Sequence, residues 1–226
     1  MARRPLIVFD MDGVLVDVTG SYHRTILETV RHFSGKPVSA GGIGRFKSLP
    51  GYNDDWKLSY RWIRALGGRA RYRDVVRHFQ RLYLGRNFRG YIRSERWLLD
   101  RRRLRRIAGR AELAVFTGRP RREALYTLER FGVRRWFARI AAMEDVARGK
   151  PHPEGLVRLA GRRALPSIVY LGDTADDALA ARRAGIRFIG VLDPAAPRRR
   201  LRAREMRRLG AGAVLDTVNR IEGWLP

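Results

Sequence analysis

Asp10 and Asp12 stand two positions apart at the end of the apolar run 6–9, and Gly13 follows them. Positions i and i+2 of an extended chain share a side, so both carboxylates can enter one cavity. Three further polar sets stand just past apolar runs. Thr117 and Gly118 follow LAVF (113–116), Lys150 lies in ARGKPHPE after ARIAAM (138–143), and Asp173, Asp176 and Asp177 close SIVYLG (167–172) in the stretch GDTADD. Carboxylates crowded together repel one another unless a cation sits among them, and oxygen ligands in this number favour Mg²⁺. Lys150 offers an ammonium that can neutralise an anion and one carboxylate. Thr117 offers a hydroxyl, and Gly118 lets the backbone approach closely with its N–H exposed. Together these make a site for a small dianion beside Mg²⁺, phosphate being the obvious candidate.

Such a site needs elements that bring the four sets to one place. The apolar runs at 6–9, 113–116, 138–143, 167–172 and 187–192, with a weaker one at 213–218, read as strands buried on both faces, hence a parallel sheet covered by helices. Helices are predicted between them at 120–131, 153–163 and 174–184, opened by Pro120 and Pro153 and closed by Gly132 and Gly185. Alternating strands and helices make an α/β, doubly wound, Rossmann-like fold, whose ligands bind at the carboxyl ends of the strands. About 100 residues separate the first two strong strands, far more than one crossover helix needs. Helical patterns at 20–34, 54–66, 70–84 and 95–107, with a Gly/Pro-rich joint at 35–51, fill that gap. The expected division is a catalytic core of 1–16 and 92–226 and an inserted helical domain of 17–91.

Composition narrows the chemistry. The chain has no cysteine, which excludes disulfides and thiolate chemistry, and its four histidines show no metal-ligand spacing. No apolar run is long enough to span a membrane, and the apolar stretch near the N-terminus stops too soon for a signal peptide, so a cytoplasmic protein is expected. The formal charge is +26, with 44 arginines against four lysines. A nucleic-acid partner is one reading of that excess. The favoured reading is a solvated, composition-biased surface, because the arginines are spread along the chain. A lysine kept at position 150 in so arginine-rich a chain suggests that a compact ammonium matters there.

The stretches DMDGVLVD, FTGRP, GKPHPE and GDTADD, in this order, resemble the four motifs of the haloacid dehalogenase superfamily. The helical insert resembles the type 1 cap of its subfamily I, as in phosphoglycolate phosphatases and β-phosphoglucomutases. The resemblance implies a phosphoric monoester hydrolase working on a small phosphorylated metabolite. Asp10 is the implied nucleophile, forming an aspartyl phosphate, and Asp12 the implied acid and base. Thr117 and the backbone N–H groups of Met11, Asp12 and Gly118 would hold the transferring oxygens. Lys150 would stabilise developing charge. Mg²⁺ would be held by Asp10, the carbonyl of Asp12 and Asp173, with Asp177 nearby or through water. Arg119 joins the expected substrate contacts. A sugar-phosphate mutase would use the same core, and a polynucleotide-end phosphatase would account for the charge as well.

In the insert, the stretch FKSLPGYNDDWKLSY has two readings. One is an Asx-type N-cap before helix 54–66. The other is a specificity loop closing over substrate, with Lys47 and Asn53 as expected contacts. Residues 51–56 also resemble a branch of the superfamily linked to histidine biosynthesis.

Overall fold

The structure, a computed structural model, describes residues 4–47, 52 and 54–225. In chain order the strands are β1 (Leu6–Phe9), β2 (Val16–Asp17), β3 (Arg96–Trp97), β4 (Glu112–Phe116), β5 (Phe137–Ala141), β6 (Ile168–Gly172), β7 (Arg187–Val191) and β8 (Ala211–Leu215). The α-helices are α1 (Arg24–Ser34), α2 (Ala40–Lys47), α3 (Asp55–Ala65), α4 (Tyr72–Tyr83), α5 (Arg101–Arg110), α6 (Arg121–Arg130), α7 (Glu154–Ala160), α8 (Ala175–Ala184) and α9 (Arg199–Arg208). The chain divides into two compact units, one of residues 1–16 and 97–226 and the other of residues 17–96.

The first unit is built on a six-stranded sheet in the order β5-β4-β1-β6-β7-β8. Its strand pairs are all parallel, with Phe9 level with Val115 on one side and Leu171 on the other. This is the Rossmann-like α/β fold that the alternating pattern predicts. Every residue of β1 is fully buried, as a central strand covered on both faces requires. Leu6 and Val8 enter a cluster with Leu156 and Leu159 of α7, alanines of α8 and Met206 of α9. Ile7 and Phe9 point to the other face, where Phe9 meets Phe137 edge-on at 6.2 Å. Each such side chain contributes about 1.5–3 kcal/mol by leaving water. The strand order changes direction beside β1, and there the carboxyl ends of β1, β4 and β6 open a crevice.

The second unit is helical. Tyr22 stacks on Tyr83 at 4.1 Å, with Phe79 beside them, and Glu95, 2% exposed, accepts hydrogen bonds from Tyr83 Oη and Ser21 Oγ. These contacts place 92–96 in the helical unit, so the chain returns at Arg96–Trp97 rather than at 91–92. Two helical expectations are corrected, and the short strands β2 and β3 were not expected. The joint at 35–51 contains α2 despite its three glycines, because a Cβ on Gly42 would come within 2.2 Å of the Trp62 ring; packing overrides propensity there. The helix expected at 95–107 starts only at Arg101, where Asp100 caps it by accepting from Arg103 N at 2.9 Å. Asp54 likewise caps α3, accepting from Trp56 N and Lys57 N.

Candidate active site

Each strand at the crevice ends in a polar side chain. Asp10 follows β1, is 3% exposed, and holds its place through a backbone bond from its N–H to Leu171 O at 2.8 Å. Lys150, from the loop between β5 and α7, puts Nζ 2.8 Å from Asp10 Oδ1 and 2.7 Å from Asp177 Oδ1, with its side chain 1% exposed. The rings of Phe116 and Tyr170 flank that ammonium. Burial works against the Lys150 charge, yet Asp10 and Asp177 hold its pKa above the ordinary lysine value. Burial raises Asp10 well above the usual carboxylate value; Lys150 opposes this, and repulsion from Asp177, Asp12 and Asp173 adds to it.

Carboxylate oxygens of Asp10, Asp173 and Asp177 lie within 4.8 Å of one another. That is an all-oxygen, anionic donor set, and it suits a small hard cation such as Mg²⁺. Asp10 and Asp173 are the carboxylates that fit a direct role. Asp177 does not, because both of its oxygens are occupied. Oδ1 accepts from Lys150 and from Tyr170 Oη at 2.6 Å; Oδ2 accepts from Thr174 N at 3.0 Å and Thr174 Oγ1 at 2.6 Å. Asp177 therefore anchors Lys150 from the first turn of α8, where it completes a capping box with Thr174. These bonds and the Lys150 charge hold its pKa below the usual value although burial alone would raise it. Gly172 is required beside it, since a Cβ there would meet Asp177 Cβ at 2.3 Å.

Gly13 answers to the same packing. It has φ +75°, and a Cβ on it would lie 2.5 Å from Asp173 Oδ2. The motif's glycine thus turns the chain away from the site and leaves room for the facing aspartate. Asp173 is also held from α9, where Arg202 Nη2 donates to its carbonyl at 2.7 Å and to Oδ2 at 3.1 Å.

Asp12 lies beside the crevice in a separate grip. Arg119 donates to Asp12 Oδ1 through Nε at 2.8 Å and Nη2 at 2.5 Å, and to Thr127 Oγ1 through Nη1 at 3.0 Å. Only 1% of Arg119 is exposed. The expected substrate contact is therefore a corrected one: Arg119 is buried and orients the second aspartate. Thr117, 1% exposed, accepts from Arg119 N at 3.2 Å and donates its own N–H to Ala141 O at 3.0 Å. Gly118 beside it is exposed. The Met11 side chain is fully buried, so only its backbone can meet a ligand. Among the described residues, the N–H groups of Met11, Asp12 and Gly118 donate to no protein acceptor.

Two expected substrate contacts belong to the helical unit. Lys47 is paired with Asp55 at 3.0 Å and nine-tenths buried. Asn53 lies outside the described residues, as do Ser48–Gly51 of the same stretch. Sequence reasoning missed Tyr170, Thr174 and Arg202. The Thr174-x-x-Asp177 spacing carried a capping-box signal. Tyr170 reads as one more apolar strand residue, and Arg202 is one arginine among many.

The family model for haloacid dehalogenase-like hydrolases matches residues 5–185. The imidazoleglycerol-phosphate dehydratase of Phytophthora nicotianae is 34% identical over 198 residues, covering 83% of this chain; the chain spans 43% of that relative's length. The phosphoglycolate phosphatase of Mesorhizobium japonicum is 29% identical over 197 residues, with 83% and 82% of the two chains covered. A crystal structure of a predicted phosphoglycolate phosphatase from Haemophilus somnus superposes with a TM-score of 0.75 at 21% identity, covering 99% of each chain. The chain belongs to the haloacid dehalogenase-like hydrolases and is an enzyme.

Proposed function

We propose that the enzyme is a Mg²⁺-dependent phosphatase that hydrolyses a small phosphomonoester through an aspartyl phosphate on Asp10. The observation that carries this reading is the asymmetric grip on the Asp10 carboxylate. Lys150 takes one oxygen, and among the described residues no donor holds the other, which lies beside the Asp173 carboxylate. A carboxylate so held is a positioned nucleophile at the end of a rigid strand.

In the first half-reaction the free Asp10 oxygen attacks phosphorus and the ester oxygen leaves, taking its proton from Asp12. In the second, Asp12 removes a proton from water, which displaces Asp10 and releases inorganic phosphate. Arg119 keeps Asp12 in one orientation through both halves. Lys150, the Thr117 hydroxyl and the free N–H groups of Met11, Asp12 and Gly118 receive the transferring oxygens. Asp10, Asp173 and the Asp12 carbonyl would hold Mg²⁺, which when bound offsets the charge of the phosphoryl group and the crowded carboxylates.

The relatives' names supply the first substrates to try, 2-phosphoglycolate and imidazoleglycerol phosphate. A panel of small phosphomonoesters containing both, assayed for phosphate release with Mg²⁺ or with chelator, tests the proposal. Mg²⁺-dependent release on at least one ester is expected. A folded protein that releases phosphate from none contradicts it.

A further inference from the structure

At the opposite edge of the sheet, two guanidinium groups hold one carboxylate and a third lines the same cavity. Arg4 precedes β1, Glu112 opens β4, Arg139 lies in β5, and Arg163 follows α7; together they line a cavity of about 520 Å³. Glu112 Oε1 accepts from Arg139 Nε at 3.0 Å, with Arg139 Nη2 2.9 Å away, and Glu112 Oε2 accepts from Arg163 Nη2. Arg4 Nη2 donates to the carbonyls of Ala108 and Ala111 at the end of α5, at 2.5 and 3.2 Å. One carboxylate cannot balance three guanidiniums, so the cavity carries an excess of two positive charges.

The pairing is also incomplete. The Arg163 side chain is 10% exposed, and its Nε is buried with no hydrogen-bond partner among the described residues. Arg139 Nη2 is likewise buried, and it is near Glu112 without the geometry of a hydrogen bond. Buried donors of this kind are paired in folded proteins almost without exception, and leaving one unmade is costly. Guanidinium forks match the oxygens of a phosphate group. We infer that this cavity is a second anion site, which takes a phosphate dianion with Arg163 and Arg139 as its donors. It is independent of the catalytic reading. The strands between the two edges, at about 3.3 Å per residue, put it on the order of 15 Å from Asp10. Its ligand therefore binds without meeting the catalytic residues. Free phosphate and the phosphate of a small ester share the chemistry required.

The test is calorimetric titration of inorganic phosphate into the wild-type protein, Arg139→Gln/Arg163→Gln and Glu112→Gln, all with chelator present so that no ester is turned over. Parallel titrations with glycerol 3-phosphate and ATP distinguish free phosphate from an ester as the preferred source. The double variant should bind one equivalent fewer than wild type, and phosphate should no longer raise its melting temperature at this site. Glu112→Gln removes the competing carboxylate and should tighten this site several-fold. Because the readout is a difference between variants, it holds whether or not phosphate also binds beside Asp10. Equal stoichiometry in wild type and double variant overturns the proposal. If the double variant does not fold, Glu112→Gln decides alone: unchanged or weaker phosphate binding overturns it, since a purely structural cluster gains nothing from losing its carboxylate.

Discussion

Two arginines give the site its order at the scale of single residues. Arg119 reaches Asp12 across 107 positions, and Arg202 reaches Asp173 across 29. The aspartates were legible because they sit beside apolar strand runs; their partners were not, because a long side chain's destination leaves no local pattern. If Arg119 orients Asp12, then Arg119→Lys keeps the charge but loses the fork. kcat should fall by up to about a hundredfold, the order of cost of a misplaced catalytic group, with KM little changed. Steady-state kinetics check this, and a rise in KM alone would restore the substrate-contact role. Lys150→Met should destabilise the fold by about 3–5 kcal/mol, since it leaves Asp10 and Asp177 as buried charges without a counterion, and denaturant unfolding measures it. The same trio governs acid stability. The pKa of Asp177 lies below the ordinary 3.8, so it stabilises the fold above pH 3.8, and that contribution is lost as pH falls through its folded value. Asp10 has the opposite sign: burial raises it above 3.8, so ionising it costs stability as pH rises. Thermal unfolding against pH should therefore show a shallower acid limb in Asp177→Asn, together with lower stability at neutral pH.

Turns and helix starts at the element scale decide whether these residues meet. Gly13, with φ +75° and no room for a Cβ against Asp173, ties the turn after β1 to the end of β6. Gly13→Ala should cost about 1–2 kcal/mol from the backbone alone. It should also push Asp173 aside, weakening Mg²⁺ binding by calorimetry more than it lowers the melting temperature. Wild-type Mg²⁺ affinity in that variant would contradict the packing argument. Thr174→Ala removes the cap of α8, which is the bond from Asp177 N to Thr174 Oγ1, and one bond to the Asp177 carboxylate, an expected loss of about 1 kcal/mol from the cap. β1, β4, β5, β6 and β7 were readable within a residue or two because burial leaves a nearly unbroken apolar run; the weaker run at 213–218 ends three residues past β8, which is only partly buried. α2 was not readable, since its glycines argue against a helix and only the Trp62 ring explains them. The start of α5 was hidden for a similar reason. Its arginines look helical from the sequence on, but the cap at Asp100 sets where the helix begins.

The whole molecule shows a helical unit inserted between the first strand and the rest of a sheet unit, and an excess of basic charge. Among the described residues no helix is long and apolar enough to cross a membrane. Part of the arginine excess is internal work. Arg119, Arg163 and Arg202 are at least nine-tenths buried and paired to carboxylates. Composition counts charges and cannot tell these from solvated ones. Turnover of a small ester at saturation should therefore hardly change over a tenfold range of salt, whereas a polyanion partner would dissociate steeply.

The most direct measurement of the central claim is mass spectrometry of the acid-quenched enzyme during turnover of an accepted ester, with wild type and Asp10→Asn compared under Mg²⁺. A phosphoryl group on Asp10 in the wild type, with neither adduct nor phosphate release in the variant, is the expected result. Undiminished phosphate release by Asp10→Asn, or an adduct on any other residue, would contradict the account.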